Sequence, residues 1–268
     1  MEYEYADFAI KDHIVIISMN RFERRNSLSY ELRRDIAKAF RRFNDDDSLL
    51  VAILTGTSTV FCTGWDLKEG QARLAMSDAE KKALQDRERV EAPDPLLLIS
   101  ECLVTKPIIG AINGYAAGDG FFLAMQCDLK VASESATFWV PGPALGLGGP
   151  LSFSCETFLP YAVAMEISLS QYITAQRAYE LGLVNKVVPG PQLILAAMEM
   201  AQSIAKLPPE SMRIVLQKMR QDRNALRQER EDRSGGLSGE EKARLEAETA
   251  VRLNAFSKGV KPAGGPKA

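Results

Sequence analysis

The apolar positions of this 268-residue chain fall into two kinds of run. Some are short and unbroken. Residues 14–18, 50–54, 107–112 and 129–132 are aliphatic and largely β-branched, with no polar alternation. Such runs read as strands covered on both faces. Others recur at helical spacing. Leu32, Ile36, Phe40 and Phe43 repeat every three or four positions behind Ser27 and Ser29, either of which offers a capping hydroxyl. Arg33, Arg34, Lys38, Arg41 and Arg42 fill the other faces of that helix. Residues 77–90 are charged and helix-prone, Pro93 and Pro95 break them, and 96–104 read as a short apolar helix. Another apolar helix runs on from Gly120 through Gln126. Thr174 can cap a helix ending near Gly182, and 183–188 make a last short strand. Helices then cover 191–230, residues 234–239 form a hinge, and a final helix runs from Glu240 to near Phe256. Strands alternating with helices predict an α/β protein on a parallel sheet covered on both faces. The expected division is a core over 1–190 and a C-terminal helical region over 191–268. No internal repeat is visible in the sequence.

Two of the connecting segments carry glycine beside exposed backbone. Residues 55–66 hold Gly56 and Gly64 and read as a loop; residues 113–120 hold Gly114, Gly118 and Gly120 and read as a turn opening a helix. In a parallel layout, loops at the carboxyl ends of strands form the ligand crevice. The first N–H groups of a helix lack intrahelical partners and suit an anion. Spacing alone is also compatible with two ordinary strand-to-helix turns. Neither segment matches a dinucleotide or nucleotide-phosphate loop.

Charge and composition remove several classes. Lys+Arg 33 against Asp+Glu 35 gives a net charge of -2, without the basic face that nucleic acid requires. The single histidine, His13, precedes an apolar run and reads as a turn or strand-edge residue. A His-rich metal site is thereby excluded, and a Ser-His-Asp or Cys-His mechanism would have to use His13, around which nothing suggests one. Cys62, Cys102, Cys127 and Cys155 form no C-x-x-C pair, which argues against zinc and fits reduced thiols in a cytoplasmic protein. The acidic start, Met1–Tyr5, is unlike a signal peptide, and no apolar run has membrane-spanning length.

Four longer stretches, taken together, are more specific. Asn20-Arg21-Phe22-Glu23-Arg24-Arg25-Asn26-Ser27-Leu28 resembles N-R-P-x-x-x-N-A-L, and Phe61-Cys62-Thr63-Gly64-Trp65-Asp66-Leu67 resembles F-x-A-G-x-D-[IL]. Lys106-Pro107 through Asn113-Gly114-Tyr115-Ala116 to Cys127-Asp128-Leu129 is similar to a K-P…N-G-x-A-x-G-G-G…C-D-[IL] block. Ala178, then Gly182-Leu183-Val184-Asn185-Lys186-Val187-Val188, is similar to A-x-x-x-G-L-V-x-x-V-V. All four belong to the enoyl-CoA hydratase/isomerase (crotonase) family, and the likeness is collinear over residues 8–262. It implies a repeated ββα spiral core, a C-terminal helical trimerisation region, and a homotrimer or homohexamer. It implies acyl-CoA substrates, with no cofactor beyond the coenzyme A they carry. It also implies an oxyanion hole of two main-chain N–H groups, matching Trp65 and Asp119 here. One preorganised donor of this kind is worth about 3 kcal/mol. Coenzyme A would lie along Cys62, Gly64, Asp66 and Leu67 and near Gly118. Arg24 or Arg25 would pair with its phosphates, or would be plain surface charge.

The departures from the family bear on the reaction. Its hydratases carry two glutamates, and the matching positions hold Phe122 and Gly142. Hydration needs a base for water and an acid for the α-carbon, and neither residue can serve. The middle glycine of the family's triplet is Asp119, whose carboxyl either turns away or supplies a missing acid or base. Glu156 lies where the isomerase branch places an acid, and reads equally as a helix-surface residue. Trp65, Trp139, Phe121 and Phe122 suggest an aromatic pocket, and core packing explains the last two as well. The readings are therefore a hydratase/isomerase-type enzyme; a hydrolase, decarboxylase or isomerase on a cyclic or branched acyl-CoA; and a non-catalytic acyl-CoA-binding subunit.

Overall fold

A computed structural model of the chain describes residues 2–57, 59–100, 103–145, 159–169, 172–234, 238–258 and 260. In chain order the strands are β1 (Ala6–Lys11), β2 (Ile14–Met19), β3 (Val51–Thr55), β4 (Val60–Cys62), β5 (Ile108–Ile112), β6 (Tyr115–Ala117), β7 (Leu129–Ser133), β8 (Thr137–Trp139), β9 (Ile173–Thr174) and β10 (Lys186–Val188). The helices are α1 (Tyr30–Asp45), α2 (Leu67–Leu74), α3 (Asp78–Glu91), α4 (Pro95–Ser100), α5 (Asp119–Gln126), α6 (Tyr161–Ser168), α7 (Ala175–Glu180), α8 (Leu193–Ile204), α9 (Pro209–Ser234) and α10 (Gly239–Ser257).

The unbroken apolar runs make a sheet ordered β1-β2-β3-β5-β7-β10, and the short strands make a second, ordered β4-β6-β8-β9. Both faces of the large sheet are covered, which is why its strands lack polar alternation. Val15, Ile17, Leu54, Ile108 and Ile112 pack with Phe40 and Phe43 of α1 and Phe121 of α5. Ile14, Val51, Ile53, Ile109 and Val131 pack on the other side against Leu193, Ala197 and Ala201 of α8. The chain repeats one path. β3, β5 and β7 each run in the large sheet, and β4, β6 and β8 follow them in the small one. A helix or 3-10 turn closes each unit: α2, α5, then Pro143–Leu145. This is a spiral of ββα repeats, and the sequence carries no matching internal repeat.

Several expectations are corrected. The sheets are mixed, because β1 pairs antiparallel with β2 and β8 with β9. The predicted loop 55–66 contains β4, and the predicted turn 113–120 contains β6. Of the helix expected over 96–104, Pro95–Ser100 is helical and Leu103 and Val104 are not, with 101–102 outside the described residues; the last strand begins at Lys186 instead of Leu183. Ser29, not Ser27, caps α1, accepting the Leu32 N–H at 3.4 Å. Arg33 is not on a solvated face: only 4% of its side chain is exposed. His13, as expected, sits in the turn between β1 and β2, with its Nδ1 2.9 Å from the Ser48 carbonyl oxygen. Phe121 and Phe122 are buried, edge to face at 5.4 Å, as core residues. Among the described residues no helix is long and apolar enough to cross a membrane.

Candidate active site

β4 and β6 are parallel neighbours, so the segments that leave them run side by side. Glycine lets them touch. Gly64 has φ 85, and a Cβ there would fall 2.7 Å from both the Asp119 nitrogen and the Ala117 oxygen. A Cβ on Gly120 would fall 2.1 Å from the Cys62 oxygen. Any side chain at either place would push the two segments apart. The Leu28 N–H donates to the Gly64 carbonyl at 2.7 Å. Because the peptide is planar and trans, the Trp65 N–H across that bond points the opposite way. Among the described residues, neither the Trp65 N–H nor the Asp119 N–H donates to an acceptor. Asp119 opens α5, so its N–H also lies at the positive end of a helix dipole.

The residues beneath this junction are firmly held. Asp66 caps α2 through the Lys68 and Glu69 N–H groups at 3.0 and 3.4 Å. Its other oxygen accepts from Arg21 at 2.7 Å and from the Ser27 hydroxyl at 3.0 Å. Burial opposes ionisation of Asp66, but Arg21, Ser27 and the Lys68 N–H outweigh it and hold the carboxyl below its usual range. Asn26 is fully buried; its Nδ2 donates to the Val60 and Phe61 carbonyls and its Oδ1 accepts the Arg21 N–H. The Cys62 thiol is enclosed, donates to the Asn26 carbonyl at 3.0 Å, and is pushed up to about 12 by burial. Arg24 and Arg25 are exposed beside this loop, and the Arg25 carbonyl accepts the Thr63 N–H at 3.2 Å. Among the described residues neither arginine side chain has a hydrogen-bond or ion-pair partner, while the Arg25 backbone is tied down.

Around the junction stand acidic and aromatic groups. The Asp119 carboxyl is pushed up to about 6 by burial and then by the Asp94 carboxylate, with Arg33 pulling the other way. Asp94 is itself raised by burial, although its carboxylate accepts the Leu96 N–H at 3.0 Å. The guanidinium carbons of Arg33 and Arg73 each lie 4.7 Å from the Trp65 ring centroid. On the far side, the Gly118 N–H donates to the Trp139 carbonyl at 2.9 Å. Trp139 stacks on Tyr172 at 5.0 Å, and the Tyr172 hydroxyl is 3.3 Å from that of Tyr115. Burial, then that hydrogen bond, raises the Tyr115 phenol. Phe122 and Gly142 supply no titratable group, and Glu156 lies outside the described residues.

The structure thus brings Cys62, Gly64, Trp65, Asp66, Leu67, Gly118 and Asp119 together, with Arg24 and Arg25 alongside. Sequence reasoning missed Arg33, Arg73, Glu88 and Asp94. Asp94 had one signal: it stands between Pro93 and Pro95, where a carboxylate caps a short helix. The others look like ordinary charges on amphipathic helices.

Fold and junction define a class: an α/β protein of spiral ββα repeats, with two main-chain N–H groups where consecutive repeats meet that have no acceptor among the described residues. The family model described as enoyl-CoA hydratase/isomerase matches residues 9–243, and the chain belongs to that family. A mevalonyl-coenzyme A hydratase of Aspergillus fumigatus is 35% identical over 213 residues, 76% of this chain and 74% of that protein. A carnitinyl-CoA dehydratase of Proteus mirabilis is 36% identical over 193 residues, 69% of this chain and 68% of that one. An enoyl-CoA hydratase structure from Mycobacterium smegmatis matches at 29% identity and TM-score 0.67, over 95% of this chain and 99% of that one. A methylmalonyl-CoA decarboxylase in complex with 2-nitronate-propionyl-CoA matches in fold, with TM-score 0.74 over 97% and 98% of the two chains at 24% identity. The family acts on acyl-CoA, and its hydratases need no cofactor beyond the coenzyme A of the substrate.

Proposed function

We propose that this protein is an enzyme that polarises the carbonyl of an acyl-CoA thioester between the main-chain N–H groups of Trp65 and Asp119. The observation that carries this reading is the pair of donors with no acceptor among the described residues, on backbones so close that a Cβ on Gly64 would fall 2.7 Å from the Asp119 nitrogen. Two preorganised N–H groups stabilise negative charge as it develops on the thioester oxygen, in an enolate or a tetrahedral intermediate. Coenzyme A then runs over Gly64, Asp66, Leu67 and Gly118, with Cys62 fully buried beneath them and out of its reach, and with the 3′,5′-ADP end toward Arg24 and Arg25, which form charge-assisted hydrogen bonds with its phosphates.

Phe122 and Gly142 stand where the hydratases of the family place their two glutamates. The proton chemistry therefore falls to other groups, and we assign it to Asp119, the residue at the junction whose side chain can carry a proton. A group at about 6 exchanges a proton readily near neutrality. Reactions that ask less of an acid/base pair gain weight over hydration: decarboxylation, where the substrate supplies its own leaving group, and hydrolysis or isomerisation of a cyclic or branched acyl-CoA. Glu156 is a further proton donor on this reading. The exposed apolar residues Ile214, Val215, Met219 and Leu226 on α9 support association of the C-terminal helical region, 191–268, into a trimer or hexamer.

The test is incubation with crotonyl-CoA, following loss of the conjugated enoyl absorbance and identifying products by mass. Gain of one water that Asp119→Asn abolishes identifies a hydratase with a replacement acid/base group. Binding without hydration directs the assay to decarboxylatable, hydrolysable and cyclic acyl-CoAs. Binding with no turnover of any of these leaves the non-catalytic acyl-CoA subunit. Failure to bind any acyl-CoA would overturn the proposal.

A further inference from the structure

The Trp65 N–H is useful only if its peptide plane stays put, and the backbone holds that plane at one point, the Gly64 carbonyl that accepts from the Leu28 N–H at 2.7 Å. Gly64 on one side has no side chain to restrict it. Asp66 on the other is anchored by Arg21, Ser27 and the start of α2. The remaining soft point is rotation about the Trp65 Cα, which the indole controls. That indole does not sit loosely in apolar packing. It rests against two guanidiniums, Arg33 from α1 and Arg73 from α2, each 4.7 Å from the ring centroid.

Those guanidiniums are in turn held by one carboxylate from a third helix. Arg33 Nη2 donates to Glu88 Oε1 at 2.6 Å, and Arg33 Nη1 donates to the Ala92 carbonyl at 3.3 Å. Arg73 donates to both oxygens of Glu88, to Oε2 at 3.0 Å. Glu69 completes the set, 3.9 Å from Arg33 and 3.7 Å from Arg73, while its other oxygen accepts the Tyr30 N–H at 2.7 Å. The network is mostly enclosed: side-chain exposure is 4% for Arg33 and 9% for Glu88. The Nε–H groups of both arginines are buried with no hydrogen-bond partner among the described residues. The attraction of a desolvated cation to the indole face offsets part of that cost. Burying two ion pairs in this way is a poor route to stability, since apolar replacements usually do as well. It is a good route to a fixed ring.

We infer that Arg33, Arg73 and Glu88 are positioning residues for the oxyanion donor of Trp65: three helices lock two guanidiniums, and the guanidiniums lock the ring that orients the N–H. The inference rests on the proposed hole. A misplacement of about 1 Å at a preorganised site costs on the order of 100-fold in rate. The network should therefore act on charge stabilisation in the reacting state while leaving ground-state affinity nearly unchanged.

The test reads carbonyl polarisation directly and needs no turnover. The probe is crotonyl-CoA carrying carbon-13 at the thioester carbonyl, bound to the full-length protein and followed by difference infrared spectroscopy. The wild-type protein should shift the carbonyl band to lower frequency than free crotonyl-CoA. Glu88→Gln, Arg73→Met and Trp65→Leu should each lose at least half of that shift, with affinity changed less than about threefold. Trp65→Phe, which keeps an aromatic face for the guanidiniums, should restore most of it. Glu88→Gln preserves shape, and circular dichroism confirms folding of each variant. If the wild type shows no shift, the oxyanion-hole reading fails and this inference with it. If the wild type shifts the band and Glu88→Gln and Trp65→Leu shift it equally, the hole stands and the positioning role is overturned.

Discussion

At the scale of single residues, Asp119 combines two properties that oppose each other in stability. Its main-chain N–H is placed for an anion, while its carboxyl is buried beside Asp94 and titrates at about 6 instead of its ordinary value. A carboxyl raised on folding binds its proton more tightly in the folded state. Its stabilising contribution is complete below the unfolded value, about pH 4, and is lost as pH rises through about 6. Asp119→Asn removes this titration. The stability of the variant relative to wild type should therefore improve by about 3 kcal/mol between roughly pH 3 and pH 8, measured by urea unfolding across that range. Equal pH dependence of the two proteins would show that Asp119 is not held as described. The junction that holds Asp119 and Trp65 was legible in the sequence as two glycine-bearing segments, while the two residues themselves were singled out only by the family resemblance. Arg33 was misread: its neighbours Leu32 and Ile36 define the apolar stripe of α1, and nothing local marks an arginine that pairs with Glu88, 55 positions away.

Elements were legible in proportion to their length and burial. β2, β3, β5 and β7, enclosed on both faces, stood out as apolar runs. β4, β6 and β8 have three residues each and no run to display; their existence depends on neighbours that the local sequence does not contain. β1 was missed because most of its positions face solvent. The link between α9 and the core was equally invisible. Arg220 of α9 is 3% exposed and donates to both oxygens of Asp128, at 2.9 and 2.6 Å, and to the carbonyls of Val104 and Lys106. Asp128 also accepts the Ile108 N–H at 2.8 Å. Removing one partner strands a buried charge, so Asp128→Ala should cost about 3–5 kcal/mol. It should also expose α9 to limited proteolysis before the sheet unfolds. Simultaneous loss of both would mean that α9 is anchored by other contacts.

For the molecule as a whole, the exposed apolar residues of α9 mark the surface through which copies of the chain are proposed to meet. Val215 and Met219 are 61% and 67% exposed, an unfavourable display for a chain that remains single. Sedimentation of the wild type should give a trimer or hexamer, and Val215→Glu with Met219→Glu should shift it to monomer. A wild type that sediments as a monomer would remove the proposal. The repeated path of the chain has one more consequence, a matter of counting. Cys62 pairs with Ala116, and Ala116 with Phe138, so these three residues occupy one position in successive turns of the spiral. Three residues further along each turn stand Trp65, Asp119 and Pro141. The first two stand at the same count beyond paired strand residues, and the proposed hole sets one oxygen between them. The third turn offers a proline, which has no N–H to give, so the series of donors ends at two.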